Sequence, residues 1–124
     1  MRTTPENVTD LADNEIFVFG SNTAGRHGRG AALLAYREFG AEYGVGAGRT
    51  GQCYAFPTLD DNLCQLPHDA LARESQWFYK AACRNEDKIF LVTKVGCGLA
   101  GFSEDYMKQF FKNMPPNVIK PEGW

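Results

Sequence analysis

A chain of 124 residues, 44% apolar and 23% charged, is long enough for one domain with a real core and ordinary in make-up for a globular protein. Its formal net charge of −2 offers no electrostatic footprint for duplex nucleic acid, which requires a basic face. No stretch has the uninterrupted apolar length that crosses a bilayer, and residues 1–15 lack the apolar segment of a secretory signal, so a cytoplasmic protein with no membrane partner is expected.

Residues 1–14 are polar and read as an edge or a loosely held lead-in. Ile16-Phe17-Val18-Phe19 is a continuous run of strand formers, as expected for a strand buried on both faces, and Gly20-Ser21-Asn22 reads as the turn after it. Thr23 to Gly30 is glycine-rich and leads into a helix over Ala31 to Phe39, with Gly40 just past its end. No Ser, Thr, Asp or Asn stands directly before Ala31 to cap that helix, which leaves its first amides for a ligand. Ala41 to Gly51 reads as a loop or irregular hairpin. Its Gly46-Ala47-Gly48-Arg49-Thr50-Gly51 has the letters of a dinucleotide fingerprint but follows a helix and precedes the strand-like Gln52 to Phe56. A second connection, Pro57 to Pro67, carries Asp60 and Asp61.

Asp69 to Arg84 reads as an amphipathic helix, and Ile89 to Val92 as another strand buried on both faces. After the glycine loop Gly96 to Gly101, a helix from Ser103 is expected, with Met107, Phe110, Phe111 and Met114 on its buried side. Pro115-Pro116 stops it, and Asn117 to Ile119 reads as a short final strand. Strands alternating with helices predict an α/β fold with helices on both faces of a mostly parallel sheet.

Two strand–glycine–helix units therefore occur in one chain. Glycines let a ligand approach the backbone, and the amides and dipole at a helix N-terminus favour an anion, so the pattern predicts a phosphate or diphosphate held between Gly28–Ala31 and Gly96–Gly101. Gly96 to Gly101 also spells G-x-G-x-x-G, with Glu122 about 20 residues on. The short tail after it leaves no room for the paired halves of a dehydrogenase, and no Gly-Lys-Ser/Thr makes a P-loop.

Candidates for chemistry are few. His27 beside the first loop could act as general acid or base, and Asn22 could place a ribose or a water, or simply make the turn. Cys97, between glycines near a helix N-terminus, would have a stabilised thiolate, yet no base partner is visible. Cys53, Cys64, Cys83 and Cys97 form no C-x-x-C pair, which points to free thiols and to no metal site. Exposed aromatics such as Tyr43 and Trp77 would instead suit a single-stranded nucleic-acid binder.

Phe19-Gly20-Ser21-Asn22, His27-Gly28-Arg29-Gly30-Ala31-Ala32, Gly44-Val45-Gly46, Gly51-Gln52-Cys53-Tyr54-Ala55-Phe56-Pro57 and Gly96-Cys97-Gly98-Leu99-Ala100-Gly101-Phe102 together resemble the macrodomain family. The likeness is greatest to small macro-like proteins of phages and bacteria and to the terminal ADP-ribose protein glycohydrolase branch. It spans about residues 15 to 120.

The resemblance implies a three-layer α/β/α sandwich with a mixed, mostly parallel sheet, formed by residues 1–124 as a single domain. It implies binding of ADP-ribose or a related NAD-derived nucleotide, free or on an ADP-ribosylated macromolecule, without a further cofactor, in a bacterial or phage-infected cell. The ligand-binding positions it implies are Gly20, Ser21, Asn22, Gly28, Arg29, Gly30, Ala31, Gly96, Cys97, Gly98, Leu99, Ala100, Gly101 and Phe102, with Phe102 toward the distal ribose. By position, Glu15 is implied near adenine. Two departures weigh against the branch's hydrolase activity: Ala100 stands where its catalytic aspartate would be, and no lysine follows Tyr54 to Leu59. A hydrolase removing ADP-ribosyl groups or a terminal phosphate, working through His27 and Asn22, is the alternative.

Overall fold

The apolar run after Asn14 becomes the centre of the molecule, as the computed structural model of residues 2–124 shows. Strand β1 (Glu15–Asn22) lies between β3 (Cys53–Leu59) and β4 (Ile89–Val92), parallel to both. β5 (Val118–Ile119) continues the sheet in parallel beyond β4, and β2 (Gly48–Thr50) runs antiparallel along the outer side of β3, giving the order β2-β3-β1-β4-β5.

Alternation along β1 sends its side chains into two cores. Ile16 and Val18 join Tyr54, Phe56, Phe90 and Val92 under helix α2 (His68–Arg84), which contributes Leu71, Phe78 and Ala82. Met107, Phe110 and Phe111 complete this layer from α3 (Glu104–Met107) and the 3-10 turn Lys108–Phe111. Phe17 and Phe19 pack on the opposite face with Cys53 and Ala55 against Ala32 and Ala35 of helix α1 (Gly30–Glu38). The architecture is a three-layer α/β/α sandwich around a mixed, mostly parallel sheet.

Four local expectations are corrected. Gly20-Ser21-Asn22 is not a turn but the end of β1, where Gly20, Ser21 and Asn22 pair with Phe56, Pro57 and Leu59 across an irregularity at Ser21/Asn22. Pro57 lies inside β3 rather than opening a loop. The Gln52 carbonyl accepts from Phe17 on β1, so alternation turns the Pro57 nitrogen toward β2, which ends across Ala55 and leaves no ladder bond to lose. The expected final helix lasts one turn before tightening. Its Phe110 and Phe111 carbonyls accept from Ser75 Oγ and Lys120 Nζ, and Asn113 turns left-handed at φ 58°. The lead-in is firmly held: Thr4 N–H donates to Lys120 O at 2.9 Å, Arg2 pairs with Glu15, and Val8 is buried on the α1 side.

Phe78 has no solvent exposure and touches the Tyr54, Phe90 and Phe111 rings. Phe78→Ala is expected to lower stability by about 3–5 kcal/mol, seen as a fall in the urea midpoint at an unchanged m-value.

Candidate functional site

The C-terminal end of β1 opens into the first glycine loop, which is closed by its own side chains. Asn22 Oδ1 accepts from Arg26 N–H and its Nδ2 donates to Arg26 O, each at 3.0 Å. Ser21 Oγ donates to Gly46 O, and Gly44 N–H donates to Gly25 O at 2.8 Å, so the loop before β2 backs the first loop. Only glycine fits these crossings: a Cβ on Gly46 would lie 2.2 Å from Asn22 O, and one on Gly25 2.3 Å from the Gly44 carbonyl carbon. Asn22 therefore holds a loop before it can place a water.

His27 is corrected outright. It is 1% exposed, edge-on to Phe19 and Tyr43, and is not among the residues that line the cavity between the two loops. Its Nε2 lies 3.1 Å from both Glu42 O and Val45 O, so this nitrogen carries the hydrogen. Nδ1 has no hydrogen-bond partner among the described residues. The imidazole pins one loop to the other and is out of reach of a ligand.

Helix α1 begins as its sequence suggests. Arg29 is the extended N-cap residue and makes no side-chain cap, and the first turn carries no acid. The first helical bond is Leu33 N–H to Arg29 O at 3.2 Å, while the amides of Gly30, Ala31 and Ala32 donate to nothing among the described residues. The guanidinium groups of Arg26 and Arg29 likewise make no ion pair there. Free amides, helix dipole and two unpaired cations thus border one cavity.

The second loop has a different character. Gly96, at φ 79°, sits so close to Thr58, Phe102 and Met107 that a Cβ would meet each at 3.2–3.3 Å. Gln65 Nε2 clamps Ala100 O at 2.7 Å. Cys97, Gly101 and Phe102 spend their amides on turns, whereas those of Gly98, Leu99 and Ala100 have no acceptor among the described residues. The expected helix dipole is missing here. α3 has four residues, Ser103 Oγ caps it, and Glu104 and Asp105 occupy its first turn.

Glu104 accepts from Trp124 Nε1 at 3.1 Å and pairs with Lys94 at 3.4 Å. The Trp124 hydrogen bond first, and then Lys94, hold its carboxyl below the usual range. Cys97 also departs from expectation: burial, with the Glu104 charge added, pushes its thiol up to about 11.

Between the two loops lies a cavity of about 1130 Å³, open to solvent. Gly20, Ser21 and Asn22 line its base, Gly28, Arg29, Gly30 and Ala31 one wall, and Gly96, Cys97, Gly98, Leu99 and Ala100 the other. Gly101 and Phe102 do not line it. Phe102 instead stacks on Tyr106 at 5.4 Å between ring centres, against the α2-side core. Glu15 sits at the opposite end of β1, about 20 Å away at the rise of a strand, which rules out the implied adenine contact. Asp60 accepts from Asn62 and Cys64 N–H groups and Asp61 from Thr23, so both serve their own loop.

The lining also includes residues the sequence did not single out for this site: Arg26, Lys94 and Glu104, and exposed Tyr43 and Leu63, which share the rim with the expected Leu99. Among the described residues no group of three His, Cys, Asp or Glu could hold a metal ion.

No protein-family model matches this chain, and no curated protein is similar to it. A solved structure does match: a protein of unknown function from Bacteroides thetaiotaomicron, at a TM-score of 0.63 and 15% identity, over 90% of this chain and 89% of that one. At that identity the likeness bears on the fold alone.

Two outcomes are expected. Alkylation of Cys97 by iodoacetamide, followed by peptide mass spectrometry, should be slow at pH 8 and rise about tenfold per pH unit toward pH 11, because only the thiolate reacts. His27→Ala should cost about 2–4 kcal/mol in chemical denaturation, from lost packing and lost bonds to Glu42 and Val45.

Proposed function

We propose that the protein binds ADP-ribose or a related NAD-derived nucleotide in the cavity at the C-terminal ends of β1, β3 and β4. The observation that carries this reading is the uncapped N-terminus of α1, where three free amides and the cations Arg26 and Arg29 face one open cavity. An anion bound there gains charge-assisted hydrogen bonds and a favourable dipole. The unpartnered amides of Gly98, Leu99 and Ala100 suit the other side of a diphosphate. The cavity volume slightly exceeds the usual range for small-molecule sites, as a dinucleotide-sized ligand needs. The macrodomain resemblance points to the same ligand class and supports the reading independently of the geometry.

Binding is favoured over turnover. With His27 buried away from the cavity and the Cys97 thiol protonated at neutral pH, Glu104 is the one carboxylate among the described residues that line it. A carboxyl held below its usual range and already bonded to Trp124 and Lys94 is a weak base and a poor proton donor.

Calorimetry is expected to show micromolar or tighter binding of ADP-ribose. No heat with ADP-ribose, ADP or cyclic NAD-derived nucleotides would overturn the reading. A Cβ on Gly98 meets nothing within 4 Å, so Gly98→Glu should abolish binding at an unchanged melting temperature, by placing a carboxylate in the anion site. ADP-ribosylated protein and ADP-ribose-1″-phosphate should both survive incubation with the protein.

A further inference from the structure

A second hollow, of about 510 Å³, lies between the edge strand β2 and helix α2 and shares no lining residue with the first cavity. Tyr54, 4% exposed, is its most buried lining residue, and half-buried Glu74 lines it as well. Neither the Tyr54 hydroxyl nor the Glu74 carboxyl makes a hydrogen bond or ion pair among the described residues, and the hydroxyl keeps contact with solvent. Burial raises both groups, which favours their hydrogen-bearing forms.

Around this floor stand Trp77, 56% exposed, and the exposed cations Arg49, Lys80 and Arg84. Lys80 Nζ is 5.1 Å from the Trp77 ring centre. None of the three cations has a carboxylate within ion-pair distance among the described residues. On a chain of net charge −2, three unpaired cations around an exposed indole concentrate positive charge against the overall balance. Trp77 also answers a feature of the sequence that the nucleotide cavity leaves unused.

We propose that this hollow binds single-stranded nucleic acid, one base stacking on Trp77 while the flanking phosphates meet Arg49, Lys80 and Arg84. Stacking on an aromatic platform beside backbone cations is the chemistry such strands require, and it tolerates any base because every base has a π-face. In this proposal the Glu74 carboxyl and Tyr54 hydroxyl, which line the same hollow as Trp77, serve the polar edge of the stacked base. A duplex is disfavoured, since its bases are already stacked on one another and the cationic patch is confined to one hollow. An acidic peptide would match the cations but leave the indole and the polar floor without a role.

The test is fluorescence anisotropy with a 5′-labelled twelve-residue oligothymidylate. Binding is expected at 20 mM salt and about 100-fold weaker binding at 200 mM, the slope for about three phosphate contacts on a single strand. Trp77→Ala should weaken binding about 5- to 150-fold and Trp77→Phe much less. Arg49→Glu with Arg84→Glu should remove it. All these side chains are exposed, so Trp77→Ala should melt with the parent and the double arginine variant, which loses the Arg84 charge at the end of α2, within about 8 °C of it. Arg29→Glu, in the other cavity, should leave oligonucleotide binding intact. Four outcomes overturn the proposal: no anisotropy change at 20 mM salt, binding that Trp77→Ala leaves unaltered, binding lost in Arg29→Glu, or equally effective competition by a twelve-residue polyglutamate.

Discussion

The parallel hydrogen bonding of β1 to β3 on one side and β4 on the other is the constraint from which the rest of the molecule hangs. A strand bonded along both edges and covered on both faces must be apolar almost throughout, and Ile16 to Phe19 meet that demand. Parallel pairing also brings the C-terminal ends of all three strands to one edge of the sheet. The chain must leave that edge by crossover connections, so the loops after β1, β3 and β4 gather there. The cavity is a product of topology before it is a product of any particular side chain.

Its two walls are built on different principles. The first loop owes its shape to internal bracing: Asn22 spans Arg26, Ser21 reaches Gly46, and His27 ties the loop itself to the segment before β2. Those bonds consume the polar groups that looked chemically useful in the sequence and leave the α1 amides as the free functionality. The second loop is held from below by Gln65 and by the packing of Gly96 on Thr58 and Met107, and its neighbour Glu104 is negative. One wall attracts an anion strongly. The other offers amides beside a carboxylate, so charge is distributed unevenly across the cavity.

What could be read from the sequence was what short-range pattern encodes. The apolar runs of β1 and β4, the amphipathic stripe of α2, and the absent cap on α1 are all local, and each stands where its residues suggested. Gly20 to Asn22 misled because glycine, serine and asparagine signal a turn in isolation, whereas here β3 supplies partners that keep them extended. Pro57 misled for the same reason, since its tolerance depends on how short β2 is. The final helix gives way to a 3-10 turn at Lys108, and the carbonyls of Phe110 and Phe111 that follow are taken by Ser75 and Lys120, which are distant in sequence. All five glycines of the cavity lining were legible. Arg26, Lys94 and Glu104 were not, because a charged residue in a polar loop carries no local mark of where it will point. His27 was singled out for being a histidine beside glycines, a pattern that says nothing about burial.

The two helical layers differ in weight. The α2 side carries a 17-residue helix and a cluster of aromatic rings, whereas the α1 side rests on nine helical residues whose fully and nearly fully buried members are alanines. Little apolar area fixes α1 to the sheet, so this layer should open by local unfolding at a lower free energy than the rest, visible as faster amide hydrogen exchange. An anion bound at the first turn of α1 bonds only to the closed form and would draw that equilibrium toward it. Ligand affinity and the rigidity of this one layer are thus a single thermodynamic quantity, and exchange rates at Leu33 and Leu34 would report on a bound ligand without any contact to it.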